Sequence, residues 1–203
     1  MLTIEEAPGL RRAAIADWRT VGAITAEAFA VDPVTSWTFA GSGAMPTAFG
    51  QLARHVYLPR GVSHVAEGDQ GATLWLTPGA SKALPAWPTL IIAARAMVGG
   101  GATAIARALA VDAEMIRRKP KAPHAYLFSI GVRPSARGQG LGRRLLAPML
   151  AACDAAGVPA YLENSNPANF PLYQGAGFVT VDEFSPAPGC PPLWPMWREP
   201  RAT

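Results

Sequence analysis

Apolar residues recur along this chain with two periods, near 3.6 and near 2, and their order predicts helices interleaved with strands. Trp18, Val21, Ile24 and Phe29 form a rough stripe that predicts a helix over 17–29, and Phe49, Leu52 and Val56 predict another over 46–57. Residues 63–66 and 72–77 read as a hairpin around Glu67-Gly68-Asp69-Gln70-Gly71, with Pro78-Gly79 ending its second strand. The stretch 84–118 is mostly helical in pattern, broken at Gly99-Gly100-Gly101. The apolar, β-prone run 125–132 predicts a central strand. After it, Leu145, Leu146, Met149, Leu150 and Cys153 mark one face of a helix over 142–156, which Pro148 should bend and Gly157 should stop. A strand at 160–163, a short helix at 169–176 and strands at 179–184 and 193–197 complete the series. The expected architecture is α/β (α+β), one domain over 1–203 with a single mixed, mainly antiparallel sheet flanked by helices.

Composition narrows the classes. Half of the 203 residues are hydrophobic and 16% are charged, which excludes a disordered chain. Cys153 and Cys190 lie far apart, so neither a disulfide framework nor a metal cluster is indicated, and no metal is expected. Glu5 and Glu6 near the N-terminus do not suit a signal peptide. The apolar stretch 89–98 is interrupted by Arg95 and looks too short to span a bilayer. A cytoplasmic protein with no membrane partner is the expectation. The formal charge of +4 comes mainly from arginine. The basic residues are not interleaved with aromatics, and Arg133, Arg137, Arg143 and Arg144 gather at one loop. They are assigned to an anionic small ligand, and no nucleic acid is expected.

That loop, Arg133-Pro134-Ser135-Ala136-Arg137-Gly138-Gln139-Gly140-Leu141-Gly142-Arg143-Arg144, is the most informative segment. It follows the central strand and opens a helix, so several backbone N–H groups converge where phosphate oxygens can be held. A Walker A loop would carry Gly-Lys-Ser/Thr, and Arg143 follows Gly142 instead. A dinucleotide fingerprint needs its third glycine one residue later than Gly142. The pattern Arg137-x-x-Gly140-x-Gly142 resembles the pyrophosphate loop of the GCN5-related N-acetyltransferase (GNAT) family. The resemblance implies the GNAT fold and acetyl-CoA as co-substrate. It also implies a cofactor site built from Ile130, Val132, Arg137, Gly138, Gln139, Gly140, Leu141, Gly142 and Arg143, together with Asn169 and Tyr173.

A second constellation supports it: Leu162-Glu163-Asn164-Ser165, then Asn169-x-x-x-Tyr173, then Gly177-Phe178. Within the family this wording is similar to the puromycin-acetyltransferase type, although 84–123 diverges. The implied reaction is direct acetyl transfer to an amine. The amine must be neutral to attack, and an alkylammonium titrates near 10.4 in water, so a proton acceptor is useful. Glu163 is the candidate base, the Val132 N–H the candidate donor to the acyl oxygen, and Tyr173 the candidate acid for the departing thiolate.

Asp32, Trp75 and Glu163 are candidate acceptor-binding residues, and Trp87, Trp194 and Trp197 are further aromatic candidates for an apolar pocket. The acceptor is expected to be a small-molecule primary amine of partly apolar body, in the manner of an antibiotic-modifying enzyme. A protein lysine or N-terminus is the first alternative, and a non-catalytic acyl-CoA sensor the second. The chain is expected to act as a monomer or homodimer.

Overall fold

The computed structural model of this chain describes residues 2–201. The chain opens with β1 (Leu10–Arg12), α1 (Trp18–Ala28), α2 (Pro33–Thr38) and α3 (Met45–Leu52). A wide turn at Ala53–Tyr57 leads into the one-turn α4 (Leu58–Arg60). Then come β2 (Gly61–Val62), β3 (His64–Ala66), β4 (Gly71–Leu76), α5 (Ala86–Arg118) and β5 (Ala125–Val132). The last part holds α6 (Leu141–Ala155), β6 (Ala160–Asn164), α7 (Phe170–Gly175), β7 (Val179–Thr180) and β8 (Trp194–Arg198).

The strands form one mixed sheet in the order β1-β3-β4-β5-β6-β8-β7, with β2 beside β4. The β5–β6 pairing is parallel and the others are antiparallel. This is the expected fold class. Each face of the sheet is covered because each bordering helix carries one apolar stripe. Leu146, Met149 and Cys153 of α6 pack on Leu127, Leu162 and Met196. On the opposite face Val21 and Ile24 of α1 join Val56 against Leu74, Leu76 and Tyr126. Each such leucine or isoleucine contributes roughly 1.5–3 kcal/mol by leaving water. At the far edge Arg198 of β8, almost fully buried, donates twice to Asp154 at 2.7 Å, tying the sheet edge to the end of α6.

Two elements lacked a readable pattern. In β1 one residue of three, Leu10, is buried, so no alternation is visible. In α2 the start is set by Asp32, whose carboxylate caps the Thr35 N–H at 2.9 Å, followed by Pro33 at the first helical position. The expected strand 179–184 pairs over Val179–Thr180, with Phe184 bridging Leu193.

The break in α5 is at Gly101 alone (φ 61°, ψ −162°), which turns the element into two helical arms. Gly99 and Gly100 stay helical for a different reason, close packing. A Cβ on Gly99 would stand 2.6 Å from the Ser42 carbonyl oxygen, and one on Gly100 2.8 Å from the Ser42 Cβ. By length and composition α5 could cross a membrane, since an 18-residue window has a mean hydropathy of 1.5. The stretch 89–98 had understated this. The break at Gly101, and the inner faces of both arms lining the cavity described next, set this element apart from a simple span.

Candidate functional site

The site begins where two parallel strands part. β5 and β6 pair from Ala125–Ala160 to Leu127–Leu162 and no further. On its other side β5 stays paired with β4 to Val132, but with one irregularity: Leu127 faces Trp75 and Ser129 faces Leu74, leaving Phe128 as an extra residue. Such a bulge shifts the phase of every later backbone group. The Arg133 N–H donates to the Gln70 carbonyl at 2.9 Å, toward the β4 side. Backbone groups alternate along a strand. Val132 and Ile130 therefore turn their N–H groups to the opposite edge, the one β6 has left. The Val132 carbonyl lies on that edge too, where Arg137 Nε donates to it at 3.4 Å.

The glycine loop lies at the end of this cleft. Gly138 (φ 77°) and Gly140 (φ 72°) take left-handed conformations, and a Cβ at either would meet nothing within 4 Å. Gly140 is the N-cap of α6 without a side-chain cap, and the first amide to bond within the helix is that of Arg144, to the Gly140 carbonyl. The N–H groups of Leu141, Gly142 and Arg143 are thus unclaimed at the positive end of a fifteen-residue helix. An anion such as a diphosphate fits this cradle. Gly142 has another role: its Cβ would press on Leu172 of α7 at 3.3 Å, so it permits helix packing. Leu141 buries its side chain in the core, while Gln139 and Arg143 are exposed. Arg137 is engaged, with Nη2 donating to the Ala28 carbonyl at 3.2 Å, so it braces the loop against α1.

On the other side of the cleft lies a cavity of about 590 Å³, walled by Phe29 just after α1, by α2 and α3, by both arms of α5, and by β5 and β6. Its walls are apolar, with Phe29, Phe49, Ile92, Ile105, Met115 and Phe128 prominent. Phe128, on the same strand face as Tyr126, stacks on Tyr57 at 4.5 Å and adds an aromatic ring to the cavity wall. One set of polar groups lines the strand divergence: Glu163, Tyr126, Tyr173, Asn169 and Ser165. Lys82 and Asp112 pair at 2.9 Å on the rim, and Lys119 stands 5.0 Å over the Tyr126 ring.

Burial pushes the Glu163 carboxyl above the usual carboxylate range, against the pull of the nearby Tyr126 phenol and the Lys82 charge. Burial, and after it the Asp32 charge, also raises Tyr173 well above an ordinary phenol, so its proton stays on at neutral pH. Cys153, pushed up to about 11 by burial, remains a thiol packed under the sheet.

The structure brings together Glu163, Tyr173 and Asn169 at the cavity and Val132, Ile130 and the glycine loop along the same cleft. Two expected acceptor contacts lie elsewhere. Trp75 is fully buried in the core, because its β4 position faces α6. Asp32 is 4% exposed and its oxygens are taken by the Thr35 N–H and hydroxyl and by the Ser165 hydroxyl at 2.5 Å, so it anchors α2 to β6. Trp87, Trp194 and Trp197 are not among the cavity-lining residues either; Trp194 and Trp197 donate to Glu183 and Glu199 instead. Phenylalanine and tyrosine supply the aromatic lining. Phe29 and Phe49 carried a visible signal as helix-stripe positions, and Phe128 shares its face with Tyr126 by strand alternation.

Comparison with known proteins follows the same lines. The family model described as Acetyltransferase (GNAT) family matches residues 82–178. An uncharacterized N-acetyltransferase of Schizosaccharomyces pombe is 43% identical over 54 residues, 27% of this chain and 22% of that relative. The chain thus matches about a fifth of that curated relative's length. Among solved structures, one described as histone acetyltransferase HPA2 and related acetyltransferase of Corynebacterium glutamicum is 26% identical. Its TM-score is 0.70, over 98% of this chain and 99% of that one. A polyamine N-acetyltransferase of Drosophila melanogaster shares the fold at 18% identity and TM-score 0.59, over 94% and 98% of the two chains.

Proposed function

Family model, relative and fold support an acyltransferase of the GNAT type, and from that premise we propose that this enzyme acetylates a small, partly apolar primary amine with acetyl-CoA. The observation that carries the acceptor class is the cavity of about 590 Å³. It is mostly apolar-walled and lined by both arms of α5, with polar groups at the strand divergence and at Lys82, Asp112 and Lys119. An apolar body inside such walls also favours the neutral amine by desolvation.

The uncapped amides of Leu141, Gly142 and Arg143 and the left-handed Gly138 and Gly140 fit the diphosphate of acetyl-CoA, which when bound supplies the activated acetyl thioester. Ile130 and Val132 present N–H donors toward the acyl oxygen. Glu163 accepts the amine proton on its carboxylate, and Tyr173 holds a phenolic proton for the leaving sulfur. No metal enters this scheme.

Gly140→Val is expected to weaken acetyl-CoA at least about tenfold, because a branched side chain would need φ near 72° and would fill the phosphate cradle. Calorimetric titration of the folded variant checks this, and unchanged affinity would remove the loop from the cofactor site.

The acceptor is tested by thiol release from acetyl-CoA with puromycin, other hydrophobic primary amines, an aminoglycoside and lysine peptides. We expect the hydrophobic amines to lead, with puromycin as one member of that class. A preference for peptides would move the reading to a protein acetyltransferase. Tight acetyl-CoA binding without turnover on any of them would favour a sensor.

A further inference from the structure

The first arm of α5 has two apolar faces. Its inner face, with Ile92, Ala93 and Ala96, lines the cavity. Its outer face carries Trp87, Leu90, Ile91, Met97 and Val98, all exposed, Leu90 by 68% and Val98 by 82%. These positions are separated by three, four, seven, ten and eleven residues from one another or nearly so, which places them on one continuous stripe. Arg95 lies on the same arm, exposed, with Nη1 donating to the Ser42 carbonyl at 3.3 Å.

The chain segments that carry the stripe and its border are rich in cations and poor in carboxylates. Neither 33–66 nor 70–111 contains a single Asp or Glu, whereas Arg54, Arg60, Lys82, Arg95 and Arg107 all lie within them. Of these, Arg95 lies on the first arm and Arg60 reaches its start by donating to the Ser81 and Ala83 carbonyls, while Arg107 lies on the second arm and Lys82 is paired with Asp112. The His55 ring meets the Trp87 ring edge-on at 4.7 Å, so the cationic Arg54–Arg60 turn borders the start of the stripe. Arg54 and Arg19 extend the basic border over the Trp18 ring, at 5.1 and 4.4 Å.

We propose that this outer face docks on an anionic lipid surface, the first arm lying in the interface plane with Trp87, Leu90 and Val98 among the acyl chains and Arg54 near the headgroups. An apolar stripe with tryptophan at one end and cations along its border has the composition of an interfacial helix. A second copy of the chain suits it less well. A two-fold contact through this stripe would bring like-charged borders together, with no carboxylate in these segments to offset them. Lipid headgroups offset them directly. The proposal departs from the expectation of no membrane partner, and it does not rest on the acceptor assigned above.

The test is co-sedimentation of the full chain with vesicles of phosphatidylcholine alone and of phosphatidylcholine with phosphatidylglycerol, alongside light scattering of the free protein. Binding is expected on the anionic vesicles, weaker by about fivefold or more on neutral ones. Leu90→Ser/Val98→Ser should weaken it about tenfold or more, and Arg54→Gln several-fold on anionic vesicles alone. All three positions are exposed, so circular dichroism and thermal melting should be unchanged. No binding to anionic vesicles by the parent chain, or binding that Leu90→Ser/Val98→Ser leaves intact, overturns the proposal. A stable dimer that dissociates on the same substitutions, without vesicle binding, assigns the face to a second copy instead.

Discussion

Tyr173→Phe is expected to lower turnover by about 10² to 10⁴ and to leave acetyl-CoA affinity within a few-fold. The phenol is 6% exposed and lines the cavity at the strand divergence. Its ring packs edge-on against Phe178 at 6.1 Å, a contact phenylalanine keeps, so the substitution removes the hydroxyl and little else. Burial holds the proton on that oxygen through the neutral range. The variant should therefore show a rate deficit without a melting deficit. Single-turnover kinetics with a chemistry-limited amine reads the loss. Turnover close to the parent, with a lowered melting temperature, would make Tyr173 a packing residue.

Glu163→Gln is the second large effect, also about 10² to 10⁴ on turnover if the carboxylate takes the amine proton. Its pH dependence separates it from a positioning role. Burial raises the Glu163 carboxyl, so the folded protein holds this proton to higher pH than the unfolded chain does. The parent kcat/KM should fall as pH drops through that raised value, above the ordinary glutamate range near 4.3, and the glutamine variant should lose this limb. Stability carries the opposite sign. A carboxyl whose folded value is raised costs stability once pH rises above its unfolded value, as the buried group ionises. Glu163→Gln should therefore melt no lower than the parent at neutral pH. A variant that keeps the acidic limb, or that loses activity in proportion to lost stability, would count against Glu163 as the base.

The helices and most strands were legible because each buries one face. Periodicity at 145, 146, 149, 150 and 153 announced α6, and the run 125–132 announced β5, since a strand covered on both faces has no polar alternation to hide it. The glycine loop was readable because its chemistry is backbone chemistry: left-handed glycines and an uncapped helix start follow from local sequence. Elements whose reason for existing lies elsewhere in the chain were not readable. β1 forms because β3 offers it an edge. The ladder from Val179 stops after Thr180 because the next partner on β8 is Pro195, whose carbonyl accepts from the Val181 N–H at 2.9 Å but which has no N–H to give in return.

The acceptor side depended on tertiary structure throughout. Trp75 faces α6 by its place in the β4 alternation, opposite Leu74 and Leu76, and Phe128 shares the cavity side with Tyr126. Which of these two faces meets α6 and which the cavity is set by the packing of distant helices, and no local pattern in 72–77 or 125–132 betrays it. Asp32 reads locally as a loop carboxylate. Its use as an anchor required Ser165, 133 residues away, to donate to it. Local sequence determines backbone conformation and which face of an element is apolar, and so it specified most of the helices and strands and the uncapped, glycine-rich start of α6. Which side chains share a cavity depends on register, on where two strands part, and on how a long helix folds back at Gly101. Those are contacts between distant segments, and only the folded chain brings them together.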